Sequence, residues 1–95
     1  MKTLHLTLKR KWFDMIKSGE KKEEYREIKP FWTKRFNNIR CSSEPTKTVT
    51  FSNGYHKDRD QFVIELKAIY IRHGRLDWGA EEDTNYFVLK LGGFK

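Results

Sequence analysis

The chain has 95 residues, enough for one domain with a single core and too few for two. It is 37% hydrophobic and 15% aromatic, which favours a folded core over disorder because Trp and Phe bury large areas. No apolar run approaches the roughly 20 residues that cross a bilayer, and the N-terminus lacks a signal peptide's apolar segment. The single cysteine, Cys41, excludes an internal disulfide. We therefore expect one cytoplasmic domain over residues 1–95, with no membrane partner.

The positive charge is concentrated in the N-terminal part of the chain. Residues 1–40 hold twelve Lys/Arg and five Asp/Glu, whereas residues 41–95 hold eight of each, so the whole net charge of +7 arises before residue 41. A concentrated positive surplus attracts polyanions and speeds their encounter, without giving sequence specificity. The charge distribution favours a nucleic-acid partner, and the ordinary alternative is a lysine-rich surface that only keeps the protein in solution.

The first part of the chain predicts a strand, a helix and a second strand. Residues 3–8 alternate polar and apolar side chains, which is typical of a half-buried strand. Residues 9–18 repeat apolar side chains at helical spacing, with Trp12 on the apolar face, and Gly19 is a residue type that commonly ends a helix. Residues 22–28 return to strand periodicity but are rich in charge. Alternating Lys and Glu of this kind is also typical of a solvated edge strand.

The rest of the chain predicts a second helix and three more strands. Pro30 suits the first turn of a short helix, where its missing N–H costs little, and a loop over residues 37–46 follows. Alternating segments predict strands at residues 48–52, 61–71 and 86–91. Five short strands are best protected by closing into a barrel, and an open antiparallel sheet with two helices on one face is the alternative.

Apolar alternation also predicts which side chains enter the core. In the longest strand every second side chain from Phe62 to Tyr70 is apolar, so this face is expected to point inward. Trp12 and Trp32 are expected to pack between the helices and the sheet. Trp78 lies in a glycine-containing loop, where it either packs against the protein or provides a flat surface for a ligand.

The charged second strand carries the main candidate site. Glu24 and Arg26 are two residues apart on a strand and so share a face. Lys21 falls on the opposite face by strict alternation, and it joins them only if the chain is irregular just after Gly19. These four residues match the G-x-K-x-x-E-x-R signature of the ASCH family, relatives of the PUA domain, and the chain resembles the small bacterial and phage branch of that family.

The resemblance extends over almost the whole chain. It includes the Trp-containing helix at residues 30–36 and the segments 51–55, 77–80 and 86–92. It implies an α+β fold with a PUA-like β-barrel of about five strands and two short flanking helices. It also implies a cleft beside the barrel, lined by the signature residues, and an association with RNA or modified nucleosides or nucleotides.

Within such a cleft, the resemblance gives Lys21, Glu24 and Arg26 a role in ligand binding and leaves catalysis open. Arg26 can grip a phosphate or carboxylate through two hydrogen bonds. Deacylating relatives use a Lys, a Thr nucleophile and a Glu, and Glu24 stands where that Thr would be, so hydroxyl chemistry is missing there. In a ribonuclease, Glu24 would deprotonate a 2′-OH while Lys21 and Arg26 stabilise charge on the phosphate.

Two residues after the third strand are further candidates for ligand contacts. Tyr55 is suited to stacking on a base, and Asn53 to a hydrogen bond with a base edge. The ordinary alternatives are that Tyr55 packs against the protein and that Asn53-Gly54 only forms a turn. The three histidines and Cys41 show no metal-ligand spacing, so neither a metal nor a cofactor is predicted.

We therefore expect an RNA-binding or nucleotide-binding domain. The alternatives are an enzyme acting on RNA or nucleosides and a regulatory module that binds a protein partner.

Overall fold

The computed structural model describes residues 2–40, 46–54 and 60–95 and has an α+β architecture. Two helices and five strands follow one another in the order that the sequence predicts. No helix within these ranges is long and apolar enough to span a membrane. The elements are β1 (Lys2–Leu8), α1 (Arg10–Lys17), β2 (Glu23–Glu27), α2 (Pro30–Arg40), β3 (Thr46–Asn53), β4 (Gln61–His73), a 3₁₀ turn (Leu76–Trp78) and β5 (Asn85–Phe94).

All five strands belong to one sheet, in the order β1-β3-β4-β5-β2. The β1–β3 pair is parallel, and the other three pairs are antiparallel. The sheet curls into a half-barrel, so the predicted number of strands and the barrel-like curl are confirmed. Backbone pairing does not complete the barrel within the described ranges, because β1 and β2 remain its two edge strands.

Aromatic side chains attach both helices to the sheet. Phe13 of α1 and Phe36 of α2 are completely buried, as are Phe51 of β3 and Phe87 of β5. The Phe36 and Phe87 rings meet edge to face with their centroids 5.0 Å apart, a favourable geometry for aromatic pairs. Each helix is therefore held by at least one large side chain that contributes to the same core.

β5 is buried on both faces. Phe87 and Leu89 enter the main core, as alternation predicts. Tyr86 and Val88, on the opposite face, form a second cluster with Ala80 of the loop between β4 and β5. β5 also pairs with β4 on one side and β2 on the other, so it is the most enclosed strand of the sheet.

The inward face predicted for β4 is correct only in part. Ile64 and Leu66 are buried, but Tyr70 is 44% exposed and Ile69 packs against the core instead. The pairing of β4 with β5 shifts register between Ile64 and Leu66 and again between Leu66 and Ala68. Such irregularities break strict alternation, so a different set of side chains faces inward beyond them.

The loop predicted from residue 37 is wrong over its first residues, because α2 continues to Arg40. Ile39 lies three residues after Phe36 and packs against the same core. This apolar contact extends the helix through a polar Asn-Asn sequence that by itself favours a loop. Residues 41–45 of the predicted loop lie outside the described ranges, and its last residue, 46, is already the first residue of β3.

We expect Phe36→Ala to lower the free energy of unfolding by about 3–5 kcal/mol, because the lost ring leaves a cavity between α2 and β5. Chemical denaturation measures this loss. The matched control is Phe31→Ala on the same helix, since Phe31 is 64% exposed and its loss should cost less than about 1 kcal/mol. Equal losses in the two variants would contradict the packing of α2 described above.

Candidate functional site

The chain folds back on itself between α1 and β2. Gly19 has φ of +86°, a left-handed conformation that glycine adopts without a steric penalty. The Lys21 N–H then donates to the Met15 carbonyl over 2.9 Å. Strand pairing begins only at Glu23, so Lys21 lies outside the alternation of β2. This is the irregularity after Gly19 that Lys21 requires to join Glu24 and Arg26.

Lys21, Glu24 and Arg26 converge at this fold-back. Lys21 Nζ donates to Glu24 Oε1 over 2.6 Å, and Arg26 Nη2 donates to Glu24 Oε2 over 2.8 Å. The side chains of Lys21, Glu24 and Arg26 are 1%, 6% and 18% exposed. Each carboxylate oxygen therefore has its own cation, and these contacts offset the cost of removing a carboxylate from water.

Arg26 also links the two edges of the sheet. Its Nη2 donates a second hydrogen bond to the Thr7 carbonyl of β1 over 3.1 Å. The guanidinium carbon lies 5.1 Å from the centre of the Trp32 ring, within the range of a cation–π contact. Its buried Nε has no hydrogen-bond partner in the described part of the chain. The gap between β1 and β2 is thus bridged by a side chain rather than by a backbone ladder.

A cavity of about 430 Å³ follows this gap, and we call it the edge cleft. Its volume falls in the usual range of small-molecule sites. β1, α1, β2, the loop after β4 and the start of β5 all contribute to it. The lining residues are Thr7, Leu8, Lys9, Trp12, Lys21, Glu24, Tyr25, Arg26, Glu27, Trp78, Gly79, Glu81 and Tyr86.

The formal charges in the edge cleft balance. The positive surplus of the N-terminal part is therefore not concentrated in the cleft lining itself. An uncharged ligand group, such as a nucleoside, meets no net repulsion or attraction there. The lining contains three cationic side chains, Lys9, Lys21 and Arg26, and three anionic ones, Glu24, Glu27 and Glu81.

Half-buried tryptophans form part of the cleft walls. Trp12 faces Lys21, whose Nζ lies 4.7 Å from the ring centre. The loop after β4 approaches Trp12 closely at Gly79, where a Cβ would come within 2.9 Å of the indole. Trp78 also lines the cleft and carries the Arg75 guanidinium at 4.3 Å on its ring. Sequence reasoning assigned Trp12 to packing alone, because its helical spacing does not reveal a neighbouring loop.

Tyr25 fastens the loop after β4 to β2. Its hydroxyl donates to Glu23 Oε1 over 2.8 Å and accepts from the Arg75 N–H over 2.9 Å. Glu23 is in turn paired with Arg72 at the end of β4. Burial, followed by the interaction with Glu23, raises the pKa of Tyr25 from 10.0 to about 12, against the lowering effect of the Arg75 N–H. The loop that carries Trp78 and Gly79 is therefore held against the cleft.

Asn53 does not line the edge cleft. It ends β3, lies opposite Leu8 of β1, and its N–H donates to the Asp60 carbonyl over 3.0 Å. Only its register partner Leu8 lines the cleft. Tyr55 lies outside the described residues, so its contact with a base stays a prediction. Within the described ranges, no three His, Cys, Asp or Glu side chains group as metal ligands.

Comparison with known proteins gives no match. No protein-family model, no curated protein and no solved structure is similar to this chain. The resemblance of the signature to the ASCH family therefore stays an expectation from sequence, and the functional interpretation rests on the geometry of the edge cleft.

Glu24→Gln should lower the free energy of unfolding by about 3–5 kcal/mol, because it leaves the Lys21 ammonium buried without a counter-charge. Urea denaturation at neutral pH measures the change. Glu27→Gln is the matched control, since the Glu27–Lys29 pair is 63–65% exposed and should contribute less than about 1 kcal/mol. If Glu24→Gln lowers the free energy of unfolding no more than the control does, the charge of the Lys21–Glu24 pair does not stabilise the fold.

The raised pKa of Tyr25 predicts a loss of stability at alkaline pH. Unfolded tyrosine releases its proton near pH 10, whereas folded Tyr25 keeps it to about pH 12. Its contribution is therefore constant below pH 10 and is lost as the pH rises from 10 to 12. Unfolding free energies of wild type and Tyr25→Phe across this range should converge, since the variant lacks the titrating group. If the two curves of unfolding free energy against pH stay parallel, Tyr25 does not have a raised pKa in the folded protein.

Proposed function

We propose that this chain is an ASCH-type domain with a PUA-like fold that binds RNA or a modified nucleotide in the edge cleft. The observation that carries the proposal is the convergence of Lys21, Glu24 and Arg26 at a cavity with aromatic walls. Three signature residues that strict alternation would divide between two faces meet at one site. Their position in the gap between β1 and β2 corresponds to the cleft that the family resemblance implies.

The walls of the edge cleft suit a nucleobase. Trp12 and Trp78 both line the cleft, and stacking on aromatic side chains is the usual way in which proteins hold an unpaired base. Glu27 and Lys9 are exposed at the rim, where they can accept and donate hydrogen bonds to base edges. The balanced formal charge also fits the neutral base and ribose better than it fits a bare phosphate.

The geometry supports binding over catalysis. A general base needs a lone pair directed at the substrate proton. Both Glu24 oxygens already accept charge-assisted hydrogen bonds, and only 6% of the side chain is exposed. The Lys21 ammonium is held in the same way, with 1% exposure. These two residues therefore fix the position of Arg26 and the shape of the cleft rather than react.

Fluorescence anisotropy with a labelled single-stranded RNA, titrated at several salt concentrations, tests the proposal. We expect salt-dependent binding in the wild type. Trp78→Ala should weaken it about 5–150-fold, since one stacked base contributes about 1–3 kcal/mol. Phe31→Ala, which removes an exposed aromatic side chain outside the edge-cleft lining, is the control and should bind like the wild type.

Two outcomes would overturn the proposal. One is the absence of measurable RNA binding at low salt, and the other is full RNA binding by Trp78→Ala. Cleavage of the RNA, or hydrolysis of an acylated cytidine, that disappears in Lys21→Ala would instead support the enzymatic alternative. A thermal melt of each variant separates loss of function from loss of the fold.

A further inference from the structure

A second cavity, of about 390 Å³, adjoins the edge cleft, and we call it the lysine groove. It lies along β4, β5 and the segment that leads into β2. The two cavities share Lys21 and Trp78 in their linings, so they meet at these two residues. Five apolar side chains line one part of the groove, namely Ile16, Ile64, Trp78, Leu91 and Phe94. The charged and glycine residues of the lining are Gly19, Lys21, Lys22, Glu23, Glu65, Lys67, Lys90, Gly92 and Gly93.

The lysine groove has the positive surplus that the edge cleft lacks. Lys22, Lys67 and Lys90 are exposed, and none of them has an ion-pair partner among the described residues. The lining also contains Glu23 and Glu65, but Glu23 is already bound by Arg72 and the Tyr25 hydroxyl. The groove lining therefore contains three lysines without an ion-pair partner beside Glu65, and such a local surplus of positive charge attracts phosphate.

Strand pairing brings these lysines together. Lys90 of β5 lies opposite Glu23 on one side and opposite Ala68 on the other. Lys22 and Lys67 immediately precede those two partners in sequence. Neighbouring strands are about 4.8 Å apart, so the three lysine backbones fall within roughly 10–12 Å of one another. This is a length over which a short stretch of a nucleic-acid backbone can contact all three.

Two glycines of β5, Gly92 and Gly93, form part of the floor of the groove. A Cβ at Gly92 would collide with the Glu65 carboxylate and lie 3.0 Å from Lys67 Cε, so the absence of a side chain lets Glu65 and Lys67 extend across β5. At Gly93, a Cβ would have no heavy atom within 4 Å. The Glu65 and Lys67 side chains thus cover the backbone of β5 at Gly92, and the space beside Gly93 is open.

We infer that the edge cleft and the lysine groove are two parts of one site for single-stranded RNA. One base lies in the edge cleft between aromatic walls, and the adjoining phosphates of the same strand lie along Lys22, Lys67 and Lys90. Trp78 and Lys21 form the junction. The inference rests on the proposed function and adds that the ligand is an oligonucleotide rather than a free nucleoside.

Binding measured over ligands of increasing length tests the inference. The wild type should bind a nucleoside weakly and gain affinity as phosphates are added, up to about four to eight nucleotides. The double variant Lys67→Glu/Lys90→Glu should lose on the order of tenfold or more in affinity for the longer RNA. Its salt dependence should become less steep by about 0.7 per lost phosphate contact, and its nucleoside affinity should not change.

The matched control is Lys34→Glu/Lys47→Glu, which makes the same change in net charge at exposed positions outside both cavity linings. It should lose much less affinity than the groove variant. Gly93→Leu is a second probe, since it adds a bulky apolar side chain to the lining of the groove without a change in charge. It should also weaken binding of the longer RNA and leave nucleoside binding intact.

The outcomes separate this inference from the proposed function. If both double variants lose the same affinity, or if affinity does not rise with length, the groove is not part of the site, while cleft binding can still stand. If the wild type binds no RNA at any length, both ideas are overturned. If heparin shows the same losses as RNA in every variant, including Trp78→Ala, the surface is a general polyanion binder and the two-part site is wrong.

Discussion

The buried ion pair between Lys21 and Glu24 is the constraint on which the rest of the site depends. Two opposite charges with almost no exposure to water must stay together, since separating them would leave each one desolvated and unpaired. The pair fixes the path of the chain after α1 and turns Glu24 inward. Arg26 completes the arrangement and reaches across to Thr7 of β1. A charged side chain thus bridges the gap between the two edge strands of the half-barrel.

The two cavities beside this gap, the edge cleft and the lysine groove, differ in their electrostatic character. In the edge cleft, cations and anions are equal in number, and aromatic rings provide the walls. In the lysine groove, ammonium groups lack carboxylate partners within the described residues. A nucleic-acid strand likewise combines flat uncharged bases with negatively charged phosphates. The Tyr25 hydroxyl contributes indirectly, because it holds the loop that carries Trp78 at the boundary between the two regions.

Much of the fold could be predicted because the signals are local. Alternation identified the strands, and helical spacing together with Gly19 and Pro30 marked the helices. The errors arose where distant contacts override local preference. Ile39 extends α2 through residues that favour a loop. Register shifts in β4 leave Tyr70 exposed, and Ile69 packs against the core instead. Neither effect is visible in a window of a few residues.

The sequence by itself determined the order of the elements, the positive surplus before residue 41 and a signature that singles out Lys21, Glu24 and Arg26. Only the tertiary structure decided that Lys21 joins the other two, because the fold-back at Gly19 removes it from strand alternation. The same holds for the lysine groove. Lys22, Lys67 and Lys90 are far apart in the sequence, and the charges of residues 41–95 balance, so the sequence gives no sign of a basic cluster there. The pairing of β5 with β2 and β4 brings the three lysines close together.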